Sequence, residues 1–196
     1  VGMQAHMQTN AGVLSEQALW KLLKDYESLG KDIQFTELTV TSSRRFNDWR
    51  DHQVFLKKRK AEMKMGKTLN LPSLPEYETY QSDYVKDFYT LAFSHPSVTS
   101  ITFWNLSDRN AWRGHAGGLL DDDLEPKKAY YTLKDLIKNK WHTSVSKTIK
   151  LGETLTFNGF FGDYSGKILV NGSYYSFNFK HSKKGSNPIE VNLTRL

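Results

Sequence analysis

The chain has 196 residues, a formal net charge of +6, 38% hydrophobic and 24% charged side chains. That is enough for one sizeable core, or a core with a small appendage, and too apolar for a disordered chain. It contains no cysteine, which excludes disulfides, thiolate metal sites and a cysteine nucleophile; no apolar run approaches the ~20 residues a membrane-spanning helix needs.

Val1 to His6 is a short apolar run ending in polar residues, and it opens as though already inside a strand. That opening suggests a fragment, a processed form or one half of a larger unit, and the absence of a basic start and of a long apolar stretch excludes a signal peptide there. Ser15 is suited to cap a helix whose apolar positions are Ala18, Leu19, Leu22, Leu23, Tyr26 and Leu29, with Gly30 as its stop. Ile33 to Val40 predicts a strand. The charged stretch from Arg44 to Lys67 predicts a helix in its middle, exposed on most sides. Leu69 to Pro75 reads as a loop. Tyr77, Tyr80, Tyr84, Phe88, Leu91 and Ala92 give an amphipathic helix ended by His95-Pro96. Val98 to Trp104 is a third strand; Pro126 fits the first turn of a helix whose buried stripe is Tyr130, Leu133, Leu136 and Ile137.

Three strand–helix units in this order predict parallel strands joined by right-handed crossovers, an open sheet too small to close on itself. After Trp141 the pattern changes. Val145 to Ile149, Leu155 to Phe161, Lys167 to Val170, Tyr174 to Phe179 and Ile189 to Leu193 read as short strands punctuated by glycines, and Asn171-Gly172 is a hairpin signal. The boundary is placed between residues 142 and 143, dividing an α/β part, 1–142, from a β-rich appendage, 143–196.

In parallel α/β folds the reacting groups collect at the carboxyl ends of strands. The first strand ends in Gln4 and His6, the second carries Glu37, and the third ends in Trp104, followed by Asp108 and Trp112. An amide, an imidazole, a carboxylate and two indoles on one rim suit a sugar site: sugars stack on indole faces, an amide bonds their hydroxyls, and a carboxylate attacks or stabilises an oxocarbenium-like centre. Taken singly, a Glu in a strand is more often a solvated edge residue, a His near a strand end a structural side chain, and Trp104 plain core. The coincidence at three successive strand ends is what carries the reading.

Gly2-Met3-Gln4-Ala5-His6-Met7, Thr36-Glu37-Leu38-Thr39-Val40, Ile101 to Arg113 (ITFWNLSDRNAWR) and Leu120 to Tyr131 (LDDDLEPKKAYY) resemble, in order and spacing, the last three barrel strands and final helix of glycoside hydrolase family ten, the xylanase family. The resemblance spans residues 1 to about 142. It implies the last three β/α units of a (β/α)8 barrel and retaining hydrolysis of β-1,4-xylan, an endo-1,4-beta-xylanase activity, in an extracellular or periplasmic setting. It implies Glu37 as the carboxylate nucleophile, His6 as the histidine that hydrogen-bonds it, Gln4 beside the sugar at the cleavage point, and Trp104 and Trp112 as the indoles lining the sugar site. Asp108 and Arg113 match less well-defined positions and read as structural.

The sequence also departs from the family pattern. Thr39 stands where Asp is usual, removing a charge beside the nucleophile strand, and Asn105 stands where Gly is usual, adding a side chain on the rim. The family's acid/base glutamate lies in an Asn-Glu pair on a strand ahead of the matched region, and this chain has no Asn-Glu dipeptide. Retaining cleavage needs two carboxyl groups about 5 to 5.5 Å apart, and Asp121, Asp122 and Asp123 match no acid/base motif. The expectation is therefore a chain that carries the nucleophile half and needs an amino-terminal barrel fragment, or self-association through its sheet edges, with little glycosidase activity alone. The competing reading is a non-catalytic carbohydrate-binding or scaffold fragment.

The appendage resembles those that follow the barrel in some members of the family, with Gly159 to Tyr164 as the recognisable piece. It reads either as a domain that buries its rings against the barrel or as a carbohydrate-binding module using Phe160, Tyr164, Tyr174 or Tyr175. The basic run Lys57-Lys58-Arg59-Lys60 lacks a groove-entering motif and reads as a solvated helix face. Three Asn-X-Ser/Thr matches are read as chance. The ligand implied is xylan or a xylo-oligosaccharide; no metal, cofactor, nucleic acid or membrane is called for.

Overall fold

A computed structural model describes residues 1–8, 13–183, 185 and 187–196. The chain divides into two units, Val1–Ile137 and Lys138–Leu196, the break falling a few residues ahead of the boundary placed from the sequence.

The first unit is α/β. Its elements in order are β1 (Gly2–Met7), α1 (Glu16–Glu27), β2 (Ile33–Val40), α2 (Trp49–Lys64), α3 (Pro75–Ser94), β3 (Val98–Phe103) and α4 (Lys128–Asp135). The strands form one parallel sheet in the order β1-β2-β3. Ser15 caps α1 by accepting a hydrogen bond from the Ala18 amide at 3.2 Å. α3 starts at Pro75, two residues before the first apolar position, because proline fits a helix's first turn. Pro126 does not sit in a first turn: α4 starts at Lys128, and Lys127 occupies the N-cap in extended backbone so that its side chain runs inward.

The core lies on one face of the sheet. Ala5 and Met7 of β1 and Ile33, Phe35, Leu38 and Val40 of β2 are buried with Leu19 and Leu23 of α1 and Val85, Phe88 and Ala92 of α3. Phe35 and Phe88 meet edge to face, ring centroids 4.8 Å apart. Along β2 the buried apolar positions are odd at first, Ile33 and Phe35, and then even, Leu38 and Val40. The register explains the switch: Met3 pairs with Phe35 but Gln4 pairs with Glu37, so Thr36 is one extra residue on β2. Such a bulge flips every later side chain to the opposite face. Without it Glu37 would share the parity of Phe35 and point into the core. With it, the pairs Gln4–Glu37 and His6–Thr39 lie on the face away from Ala5, Met7, Leu38 and Val40.

The helical run of α4 continues as a π-helical turn over Leu136–Lys140. In the second unit β4 (Gly162–Val170) and β5 (Ser173–His181) form an antiparallel hairpin around Asn171-Gly172, and the two-residue β6 (Thr194–Arg195) pairs with β5. Asn171 and Gly172 both have positive φ, 47° and 81°, as a type I′ turn requires. Three expected strands are absent: Val145 to Ile149, Leu155 to Phe161 and Ile189 to Leu193 make no ladder. Their alternation fails to find a buried face, since Val145, Ile149, Leu155, Val191 and Leu193 are all exposed. β4 extends back to Gly162, past Gly166, because the missing side chain at Gly166 makes room for the Phe177 ring opposite it. Tyr164 stacks on Phe179, its cross-strand partner, at 4.9 Å and 7° between planes, and its hydroxyl donates to the Phe160 carbonyl at 2.7 Å.

Candidate active site

The site is built on the polar ends of β1 and β2. Glu37 is held from two sides: Gln4 Nε2 donates to Oε1 at 2.9 Å, and His6 Nε2 lies 3.2 Å from Oε2, close but off the straight line of a hydrogen bond. Both side chains are partly open, 18% exposed for His6 and 22% for Glu37, so the carboxylate is positioned by protein yet reachable by a ligand. His6 Nδ1 lies 3.0 Å from Thr39 Oγ1. The three residues form a line, Thr39–His6–Glu37, in which each side chain fixes the next.

That line assigns a protonation state. A carboxylate only accepts, so the ring proton belongs on Nε2, facing Glu37, and Nδ1 accepts from the Thr39 hydroxyl. Burial pushes the His6 pKa below the usual histidine value; the Glu37 charge opposes this and the Arg113 charge adds to it. The neutral ring suits both neighbours, with Nδ1 taking the Thr39 hydroxyl and the Nε2 proton facing Glu37. Thr39 is itself fully buried beneath the segment after Trp112: a Cβ on Gly117 would sit 2.8 Å from its Cγ2.

The indoles come from the loop after β3. Trp104 follows the last strand residue, its amide bonded to the Leu38 carbonyl at 2.7 Å, and Trp112 meets it edge to face at 6.2 Å. Trp112 lies 6.1 Å from the His6 ring. Trp104 is 37% and Trp112 51% exposed, so neither is plain core. Asn105 adopts φ 72°, the left-handed conformation that glycine takes without cost, which is how the chain accommodates a side chain there. The structure thus brings Gln4, His6, Glu37, Trp104 and Trp112 to one rim.

Asp108 is not on that rim. It is buried under the loop, where Oδ1 accepts from the Gly118 amide at 2.7 Å and Oδ2 pairs with Lys127 Nζ at 2.9 Å; Nζ also donates to Ser42 Oγ at 2.9 Å. This network ties the loop to the end of β2 and to the start of α4. Arg59 of α2 holds the loop from the other side, donating to the carbonyls of Ala111 and Trp112 at 3.5 Å each. Gly114, at φ 70°, leaves the path open for that side chain.

One contributor, Trp49, was not singled out from the sequence, and Arg113 was read there as structural. Trp49, the first residue of α2, is 56% exposed, and the Arg113 guanidinium lies 5.6 Å from its ring centroid and 4.0 Å from that of Trp112. The signal available was an indole placed directly after a helix cap, Asp48. Behind this pair, His52 and His115 are buried 5.5 Å apart, and none of their ring nitrogens has a hydrogen-bond partner among the described residues. Among the described residues no cluster of three or more His, Asp or Glu side chains is arranged to hold a metal, and no helix is long and apolar enough to cross a membrane.

Comparison with known proteins gives the family and the fold of the first unit. Residues 1–136 match the family described as Glycosyl hydrolase family 10. The anti-sigma-I factor RsgI6 of Acetivibrio thermocellus is 31% identical over 111 residues, 53% of this chain and 14% of that protein. Endo-1,4-beta-xylanase 2 of Arabidopsis thaliana is 27% identical over 191 residues, 97% of this chain and 14% of that protein. The chain therefore spans about one seventh of the length of these relatives. Xylanase 10B from Thermotoga petrophila RKU-1, solved in complex with xylobiose, shares the fold over 71% of this chain and 36% of its own, at a TM-score of 0.50 and 20% identity.

Proposed function

Because the chain belongs to glycosyl hydrolase family 10, we propose that it carries the nucleophile half of a retaining endo-1,4-beta-xylanase, the last three β/α units of a (β/α)8 barrel. The observation that carries this reading is the Glu37 carboxylate, gripped by Gln4 and His6 and overlooked by two half-exposed indoles. A β-1,4-linked xylose unit stacks on the Trp104–Trp112 rim with its anomeric carbon over Glu37. One carboxylate oxygen attacks that carbon, the glycosidic bond breaks, and the electron pair leaves with the departing oxygen, which takes a proton from a general acid. Water then attacks the glycosyl ester and gives its proton to the same group, freeing Glu37 with net retention. Gln4 and the neutral His6 keep the carboxylate aimed without removing its charge.

The general acid comes from elsewhere, either a segment outside these residues or a second chain, since no Asn-Glu pair is present. A polymeric substrate of this kind places the protein outside the cytoplasm. The test is complementation. Mixed with an amino-terminal family 10 segment bearing the acid/base glutamate, the chain gains xylan hydrolysis, and Glu37→Gln abolishes turnover in the mixture while retaining oligosaccharide binding. Activity that survives Glu37→Gln removes the nucleophile assignment.

A second reading has one observation in its favour. A relative with 31% identity is named an anti-sigma factor and not a xylanase. In that reading the same rim binds xylo-oligosaccharide and no bond is cleaved; binding without any gain of hydrolysis on complementation selects it.

A further inference from the structure

Arg113 is the feature of the rim that sugar stacking alone leaves without a purpose. Its guanidinium carbon lies 4.0 Å from the Trp112 ring centroid and 5.6 Å from that of Trp49, so it sits between two half-exposed indoles. Among the described residues it forms no ion pair, all the salt bridges there lying elsewhere. A guanidinium laid against an aromatic face keeps its N–H edge free, and that edge is the part that matches a carboxylate with two parallel hydrogen bonds. The carboxylates that act on the histidines it faces bond elsewhere, Glu37 to the Gln4 amide and Asp51 to the Asn47 backbone amide. Arg59 binds the carbonyls of the two residues before Arg113, and Arg44 lies over Phe46, the ring that stacks on His52. His52 and His115, packed behind, are held neutral by burial and neutralise nothing. The rim thus offers a fixed cation beside a sugar platform, and among the described residues no carboxylate pairs with it.

We propose that Arg113, clamped between Trp49 and Trp112, is a carboxylate-binding residue that makes this rim prefer xylo-oligosaccharides bearing a uronic acid substituent. The inference rests on the sugar-site reading above and adds a substrate class to it. One face of Trp112 is covered by the guanidinium, so the sugar backbone takes the remaining face and edge together with Trp104. A carboxylate on a side group next to that unit then meets the free edge of Arg113. Trp49 supplies the second wall, which stops the long side chain from swinging into solvent.

The test compares two xylo-oligosaccharides of equal backbone length, one neutral and one with a single glucuronic acid substituent, titrated into the intact chain by calorimetry or by the indole N–H resonances. The acidic ligand is expected to bind about tenfold more tightly, the scale of one charge-assisted hydrogen-bond pair. That preference shrinks towards unity at about 1 M salt, where the screening length is about 3 Å. In Arg113→Gln the preference disappears; in Arg113→Lys, which keeps charge and loses the planar fork, part of it remains; in Trp49→Ala it falls. Equal binding of the two ligands by the unmodified chain overturns the proposal while leaving the sugar site intact. A preference that survives Arg113→Gln overturns the assignment to Arg113. Failure of both ligands to bind removes the sugar-site reading and this one with it.

Discussion

Thr39 Oγ1 and His6 Nδ1 lie 3.0 Å apart, and through that contact a hydroxyl occupies the place where the family pattern has a carboxylate. The difference is chemical. A carboxylate there would accept a proton from Nδ1 while Glu37 accepts from Nε2, and the ring would sit between two anions as an imidazolium. A hydroxyl donates instead, and leaves the ring neutral. Thr39→Asp is therefore expected to raise the His6 pKa, reversing the direction set by burial. Histidine ring resonances followed against pH read this directly, and a His6 titration that stays put or moves down in Thr39→Asp contradicts the tautomer assigned here.

Asp108 and Lys127 form a buried pair, each exposed by no more than 5% at the side chain. Burial raises the one pKa and lowers the other, and their mutual attraction opposes both shifts. Removing one partner strands a charge. Lys127→Met is expected to cost about 3 kcal/mol or more in urea unfolding, whereas Asp108→Asn with Lys127→Met costs less than Lys127→Met alone. The asparagine oxygen still accepts from the Gly118 amide, a bond of 2.7 Å in the parent. A double variant less stable than Lys127→Met would show that Asp108 is not stranded by the loss of its partner.

How much of this was legible in the sequence depends on the range of the interaction. The three parallel strands, the Ser15 cap and the Asn171-Gly172 hairpin follow from local spacing and turn chemistry, and the structure has each of them. The bulge at Thr36 was not read from the sequence, although apolar residues switch parity there between Phe35 and Leu38, and it decides which face Glu37 takes. What escaped is non-local. Trp49 belongs with Trp112 only because Arg113 bridges them across more than sixty residues of chain. The strands expected at Val145, Leu155 and Ile189 have β-forming residues but no ladder to join.

Gly166 faces Phe177 across the hairpin, and a Cβ added there would lie 2.2 Å from the ring. The ring cannot yield easily, because Phe177 stacks on Phe179 and Phe179 on Tyr164. Gly166→Ala is expected to destabilise the second unit by about 1–3 kcal/mol through overpacking. Near-ultraviolet circular dichroism should report loss of the aromatic stack. An unchanged spectrum and midpoint would mean that the rings shift freely.

His52 and His115 give the chain an acid-sensitive core. Both are buried, and burial lowers their pKa values from 6.5, to about 4 for His52 and about 3 for His115. In the unfolded chain each protonates near 6.5, so below that pH the unfolded state binds more protons than the native state, and stability falls as pH falls. The contribution is whole above pH 6.5 and drains away towards the folded values, on the order of 3 kcal/mol for His52 at 1.36 kcal/mol per pH unit. His52→Phe, which keeps a flat ring against Phe46 and cannot ionise, is expected to flatten this slope. Unfolding midpoints at pH 7.5, 6, 5 and about 4.5 test it: parallel curves for parent and variant would remove His52 as the source of the acid sensitivity.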